Sequence, residues 1–379
     1  MSLRKGTDID MKPDTKENRQ FRILSALGII FVVAGHLGYD VFTVGGLFPY
    51  YSFHVFIFLF VSGYFYKEEA EEDMAGYIWG KCVTLLFPYF LWNLFYGVAA
   101  QVLRRTGLSF GEELSFRTLF LLPFSSGHQF LYNFSAWFVP ALFLVEVINV
   151  LMRKVLGLLR LKNECLILAG CLIAGMAAIY LAIGGHVWGI YKLPGRLLLM
   201  LPGFQMGRFY KEKLEVHDTL PNGIYLLIVI GVQIFISVFC AGLSFSAVWV
   251  TGFANGPIVP YLTVVTGIAF WLRVARVIGG IPSFAEKMVR LGRNTFSVMV
   301  HHVAVFMLVK GFFYWCSRMT SFCAAFDREM FFQDINYIYM AGGAEESKWI
   351  YLLAGIGVPV LVGKGIAKGK GLRGSLWKE

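Results

Sequence analysis

The sequence predicts an all-α, polytopic integral membrane bundle of about ten transmembrane helices with both termini cytoplasmic. Three observations carry that expectation. Hydrophobic residues make up 57% of the chain and charged residues 15%, against about 25% charged in a soluble domain, and the mean hydropathy is +0.63. Apolar runs of roughly 17–25 residues, the length that crosses a hydrocarbon core of about 30 Å, recur along the whole chain. With the N-terminus inside, 25 of the 34 Lys and Arg fall in cytoplasmic segments, the asymmetry that orients helical membrane proteins.

Residues 1–21 are hydrophilic and read as a cytoplasmic tail. The first apolar run that follows is long and lacks a small-residue cleavage site, so it reads as a retained span rather than a signal peptide. That run, residues 22–42, contains His36, and the next, residues 48–67, contains His54. At about 1.5 Å per residue, a first helix rising from Arg22 and a second descending from Phe48 bring the two imidazoles to similar depth. An ionisable side chain inside a span is a candidate functional group by default. Asp40 stands at i+4 from His36, where it can orient that ring or face solvent.

The remaining spans centre on Pro88, Leu144, Met176, Leu201, Ile230, Thr266, Ala304 and Ile356. Trp137 heads the fourth, as an interfacial anchor or a platform for a sugar face. Arg196 begins the sixth, to bind substrate or to snorkel to the interface. Lys81 and Glu146 lie toward the inner ends of their spans, placed to pair. Ser62 and Gly63 suit close helix approach. His301 and His302 open the ninth span about 100° apart, so one of them at most faces a pocket, with His302 preferred. Two long outer segments, 101–133 and about 314–348, are rich in Phe and Leu and should pack over the outer mouth of the bundle, which is permitted where backbone is buried in protein. Cys316 and Cys323 share the second segment, either as a disulfide or as two separate buried thiols. The other cysteines fall in or beside apolar spans, and no Cys–His spacing fits zinc, so no metal is expected. The domain division is thus 1–21 tail, 22–364 membrane domain and 365–379 basic cytoplasmic tail. Basic stretches at that end suit anionic lipid rather than nucleic acid.

In order along the chain stand VVAGH (32–36), FHVFIFLFVSGYFYK (53–67), LLFPYFLW (85–92), AWFVPALFLV (136–145), LLLMLPGFQMGRFY (197–210) and LGRNTFSVMVHH (291–302). This series resembles the acyltransferase family 3 membrane proteins, which include sugar and peptidoglycan O-acetyltransferases and the fucose O-acetylase-like group. The resemblance implies a ten-span plasma-membrane domain that moves an acyl group, usually acetyl, from cytoplasmic acyl-CoA to a hydroxyl of a cell-surface glycan or its precursor. It implies that His36 is the essential first-span histidine. The family usually carries an arginine eleven residues earlier, where this chain has Ser25; Arg22, one turn before, is then the substitute. The paired arginines after the second span are also missing, and Lys67 and Lys81 flank the acidic run 68–73 instead, as candidate points of access for acyl-CoA.

The chemistry follows without the family. A thioester carbonyl needs a nucleophile or a base that activates the acceptor hydroxyl, and histidine serves as either. The phosphates of acyl-CoA belong at the basic face, with only the thin acyl-bearing arm inside the bundle. His36 and His54 are therefore the catalytic candidates, supported by Asp40, Arg22 and His302, with Arg196 and Trp137 at the acceptor. Acyl-CoA is the co-substrate, and membrane lipid and a glycan or lipid-linked sugar are the partners. No fused extracytoplasmic domain is expected after the last span, so transfer is expected to fall to this chain, to a homo-oligomer, or to a separate outer partner. The competing reading is a secondary transporter or flippase for a glycan or small anion, which would call for a midplane ion site; no acidic pair deep in the spans marks one.

Overall fold

The computed structural model describes residues 18–376 apart from 39–41, 43 and 322, with side chains through 365. Among these residues the chain is helical throughout and contains no strand, only two isolated bridges. The first helix, α1 (Arg19–Gly35), is capped by Asn18, whose side chain accepts from the Phe21 N–H. It stops at His36, short of the Phe42 that hydropathy predicts. Gly38 takes φ +58°, a left-handed conformation that ends a helix, and composition alone does not distinguish an apolar helix from the apolar turn beyond it. Pro49 and a 3-10 turn at Tyr50–Ser52 precede α2 (His54–Tyr64). Eleven residues rise only about 16 Å, roughly half the hydrocarbon thickness.

The next helices are α3 (Met74–Arg104), α4 (Leu131–Leu158) and α5 (Glu164–Ile183). They are followed by α6 (Lys192–Phe209), α7 (Asn222–Phe239), α8 (Val259–Gly279) and the short amphipathic α9 (Pro282–Gly292). The chain ends in α10 (Thr295–Met319) and α11 (Lys348–Leu376). Seven described segments are long and apolar enough to cross a membrane: α3, α4, α5, α7, α8, α10 and Glu345–Gly365 at the start of α11. They coincide with seven of the ten expected centres. The other three centres fall on α1, α2 and α6, which are too short or, in α6, carry three charges. These are interior helices; twelve of the seventeen residues of α1 and twelve of the eighteen of α6 are buried. A helix wrapped by other helices has no lipid to match, so neither its length nor its polarity is held to the membrane's terms.

Helices α2 and α6 meet backbone to backbone. A Cβ added at Gly63 would run into the Phe204 carbonyl oxygen, and one at Gly207 into the Phe60 carbonyl oxygen. Gly203 and Gly207 form the small-xxx-small spacing that permits such an approach. Because the obstacle is main chain, no rotamer change relieves it. Gly207→Leu is expected to separate the two helices and abolish the monodisperse elution of the purified protein, whereas Gly231→Leu, where nothing lies within 4 Å of an added Cβ, should elute as wild type.

Buried charges brace the end of the bundle that carries residues 66–71. Arg153 makes two hydrogen bonds to Glu164 at 2.8 and 2.7 Å and a third to Gln205 Oε1 at 2.8 Å. Arg208 pairs with Glu68 at 2.6 Å and with Glu212 at 3.2 Å. Lys81 and Glu146 pair at 2.8 Å, with Glu146 almost fully enclosed. Removing one member of a buried pair leaves an uncompensated charge, at a cost of about 3–5 kcal/mol. Lys81→Met should therefore lower the thermal midpoint clearly, and Lys81→Met with Glu146→Leu should recover most of the loss.

Candidate active site

A cavity of about 470 Å³ opens where α1 ends and α2 begins. Its wall combines His36, His54 and Phe58 with Phe134 and Trp137 at the start of α4, Met299 of α10, and residues of four connecting segments. His36 occupies the C-cap of α1, half-buried, with its ring open to the cavity. Its ring lies 5.2 Å from that of His302 in a stacked arrangement and 4.9 Å edge-on from Phe134. Among the described residues no protein group hydrogen-bonds either nitrogen of His36, which leaves the ring free for a substrate.

His54, the first residue of α2, has Nδ1 2.5 Å from the Tyr50 carbonyl oxygen. A carbonyl only accepts, so Nδ1 carries the proton and Nε2 presents its lone pair. His302 is arranged alike: Nδ1 donates to the Val298 carbonyl at 2.8 Å, and Nε2 is buried with no partner. His302 is fully enclosed and, contrary to the expectation that it faces the pocket, does not reach the cavity; its ring stands beside that of His36. His301 points away, with Nδ1 2.7 Å from the Tyr96 hydroxyl and its ring edge-on to Trp92 at 4.2 Å.

Trp137 lines the cavity, and the Arg196 guanidinium lies 5.2 Å over its ring on the far side. Arg196 is almost fully buried, and its Nε and Nη2 donate to the Val248 carbonyl at 3.2 and 2.8 Å. Arg22 is not brought to this site. It is exposed near the start of α1, fourteen residues before His36 and so about 21 Å along the axis. The position eleven residues before His36, held by Ser25, is itself about 16 Å along the axis, and Arg22 stands nearly one turn farther. Asp40 lies outside the described residues.

Lys67 and Lys81 line a second groove at the other end of α2, with Val61, Ser62, Phe65 and Tyr77. Val55, Phe58, Val61, Ser62 and Phe65 are the incompletely buried residues of that helix and its cap. Their spacing of three and four places them on one face, so a single stripe of α2 runs from the groove to the histidine cavity, a span of about 16 Å. The groove is not purely basic, since Glu69 and Asp73 also line it.

Several lining residues were not singled out by the sequence: Tyr51, His128, Ser246, Trp249 and Asn336. All belong to connections. The long segment 101–133 does close over the cavity, through His128 and Leu131, and the segment after α10 contributes Ile335 and Asn336. Lys310, fully buried in α10, donates to the Ile335 carbonyl at 2.6 Å and so pins that segment in place. Burial pushes the His128 pKa down to about 4, so its ring is neutral at pH 7; it packs 4.7 Å from Trp249. Cys316 and Cys323 are both free thiols, so the disulfide alternative is not the one adopted. Among the described residues no three His, Cys, Asp or Glu side chains converge on a point suited to a metal ion.

The family model described as an acyltransferase domain matches residues 19–362, nearly the whole chain. No curated protein and no solved structure matches significantly.

Proposed function

The chain belongs to the acyltransferase family 3, and from that premise we propose that it is a membrane O-acyltransferase using acyl-CoA, most simply acetyl-CoA, to acylate a hydroxyl of a glycan or lipid-linked sugar. The observation that carries this reading is the histidine cavity, joined by one face of α2 to a groove bearing Lys67 and Lys81. The nucleotide end of acyl-CoA stays at the groove, on the cytoplasmic side in an N-in, C-in plasma-membrane topology. Its extended arm follows the α2 stripe, and the acyl thioester meets His36 and His54 at the far end. The acceptor approaches from the opposite mouth, beside Trp137.

In the transfer step the acceptor oxygen attacks the thioester carbonyl carbon while His36 takes the hydroxyl proton. The carbon–sulfur bond then breaks, the CoA thiolate leaves, and the proton held by His36 returns to sulfur. His54, with Nε2 free, is placed to hydrogen-bond the hydroxyl proton or the departing thiol proton. His302 fixes the His36 ring through stacking. Arg196 and Trp137 form the acceptor wall.

Labelled acetyl-CoA offered to the purified protein with added glycans tests the reading. CoA release with label passed to glycan supports it, and label retained on the protein assigns an acyl-enzyme route. Glycan uptake into vesicles without acylation would instead support the transporter.

A further inference from the structure

Two cations lie one residue back from the lining of the histidine cavity, in contact with residues that line it. Lys192 and Arg196 stand one turn apart on the same face of α6, 8% and 1% exposed. The Lys192 ammonium lies 3.9 Å from the centroid of Trp249 and 4.6 Å from that of Trp188. The Arg196 guanidinium covers Trp137 and shares only the Val248 carbonyl. Neither cation has a carboxylate within ion-pair distance among the described residues, in contrast to Arg153, Arg208 and Arg273, each of which is paired. No Asp or Glu lines the cavity among these residues either. A buried charge is costly unless paired, and aromatic faces compensate only in part. Trp137, Val248 and Trp249 are the shared wall: each lines the cavity and each contacts one of the two cations, while Lys192 and Arg196 are not themselves among the lining residues. Two neighbouring unpaired cations backing two indole plates are suited to a ring that carries a negative charge.

We propose that the acceptor held in this cavity is an anionic sugar, with a carboxylate or phosphate group close to the hydroxyl that is acylated, and that Lys192 and Arg196 select it. This rests on the acyl-transfer reading for the identity of the ligand as acceptor, but not for its binding. The sugar face stacks on Trp137 or Trp249, and the anion lies in the field of the two cations. A carboxylate belongs to an acidic sugar, a phosphate to a sugar-phosphate lipid precursor; the two share the chemistry and separate in the test.

Binding is read from tryptophan fluorescence of the full chain in detergent, without acyl-CoA, using methyl glucuronide, glucose 1-phosphate and methyl glucoside. At least one anionic sugar is expected to bind tenfold or more tightly than the neutral one, with the preference shrinking as salt rises. Lys192→Gln should remove most of the preference and Lys192→Arg should keep it, with both variants eluting as wild type. Glucuronide preferred points to an acidic sugar, and glucose 1-phosphate preferred to a phosphorylated precursor. Equal binding of the neutral sugar, no saturable binding of either anion, or a preference untouched in Lys192→Gln would each overturn the inference. Anion preference without CoA release on adding acetyl-CoA would retain this inference and remove the acyl-transfer reading. CoA release to neutral acceptors alone would do the reverse.

Discussion

Replacing His36 by alanine is expected to abolish acyl transfer while leaving the fold intact. A positioned general base contributes roughly 100- to 10,000-fold to rate, and His36 is the cavity imidazole with both nitrogens free of protein partners among the described residues. It sits at a helix end rather than inside one, so losing its ring removes contacts with Phe134 and His302 without breaking a helix. The variant should elute as wild type, bind the sugar probes, and release CoA at the background rate. His302→Phe keeps a stacked ring behind His36 and should retain a measurable fraction of kcat. If His36→Ala released CoA at the wild-type rate, the base would have to be His54, and His54→Gln would then carry the loss.

Val61→Trp should act on a different step. Val61 lies on the incompletely buried stripe of α2 where it enters the Lys67 groove, and it lines that groove. An indole there narrows the proposed path of the acyl-bearing arm at its groove end, away from the histidine cavity. The expected result is a rise in KM for acetyl-CoA of about tenfold or more, the scale of about 1.4 kcal/mol or more of lost binding, with sugar binding unchanged. Unaltered kinetics in a well-folded Val61→Trp protein would show that the donor does not travel along α2.

How far the sequence foretells this arrangement varies with the kind of residue. His36 and His54 are brought to one cavity, as their depths in successive apolar runs predict, because a hairpin of two helices leaves them little choice. The ends of those helices are less legible. Residues 37–48 are as apolar as the spans around them, and only the left-handed glycines reveal a turn. Arg22 shares a helix face with the family position but stands nearly a turn farther from His36, a difference that spacing alone does not weigh. Arg196 does not line the cavity but packs over Trp137, which does, a matter of side-chain packing that periodicity cannot express. His128, Trp249 and Asn336 went unnoticed because loops carry no period. The buried Arg153 and Arg208 were hidden likewise, since a positive residue near a span end reads as interfacial until its carboxylate partner is seen.

The backbone contact between α2 and α6 bears on how the protein can move. With Gly63 under the Phe204 carbonyl and Gly207 under that of Phe60, the two helices are locked in register, and sliding or rocking one past the other would drive carbonyl groups into each other. One helix supplies His54 and the stripe toward Lys67; the other supplies Lys192 and Arg196. The proposed donor path and acceptor wall therefore share one tightly packed pair of helices. A machine that alternates its exposure by swinging these two helices apart would need its joint elsewhere.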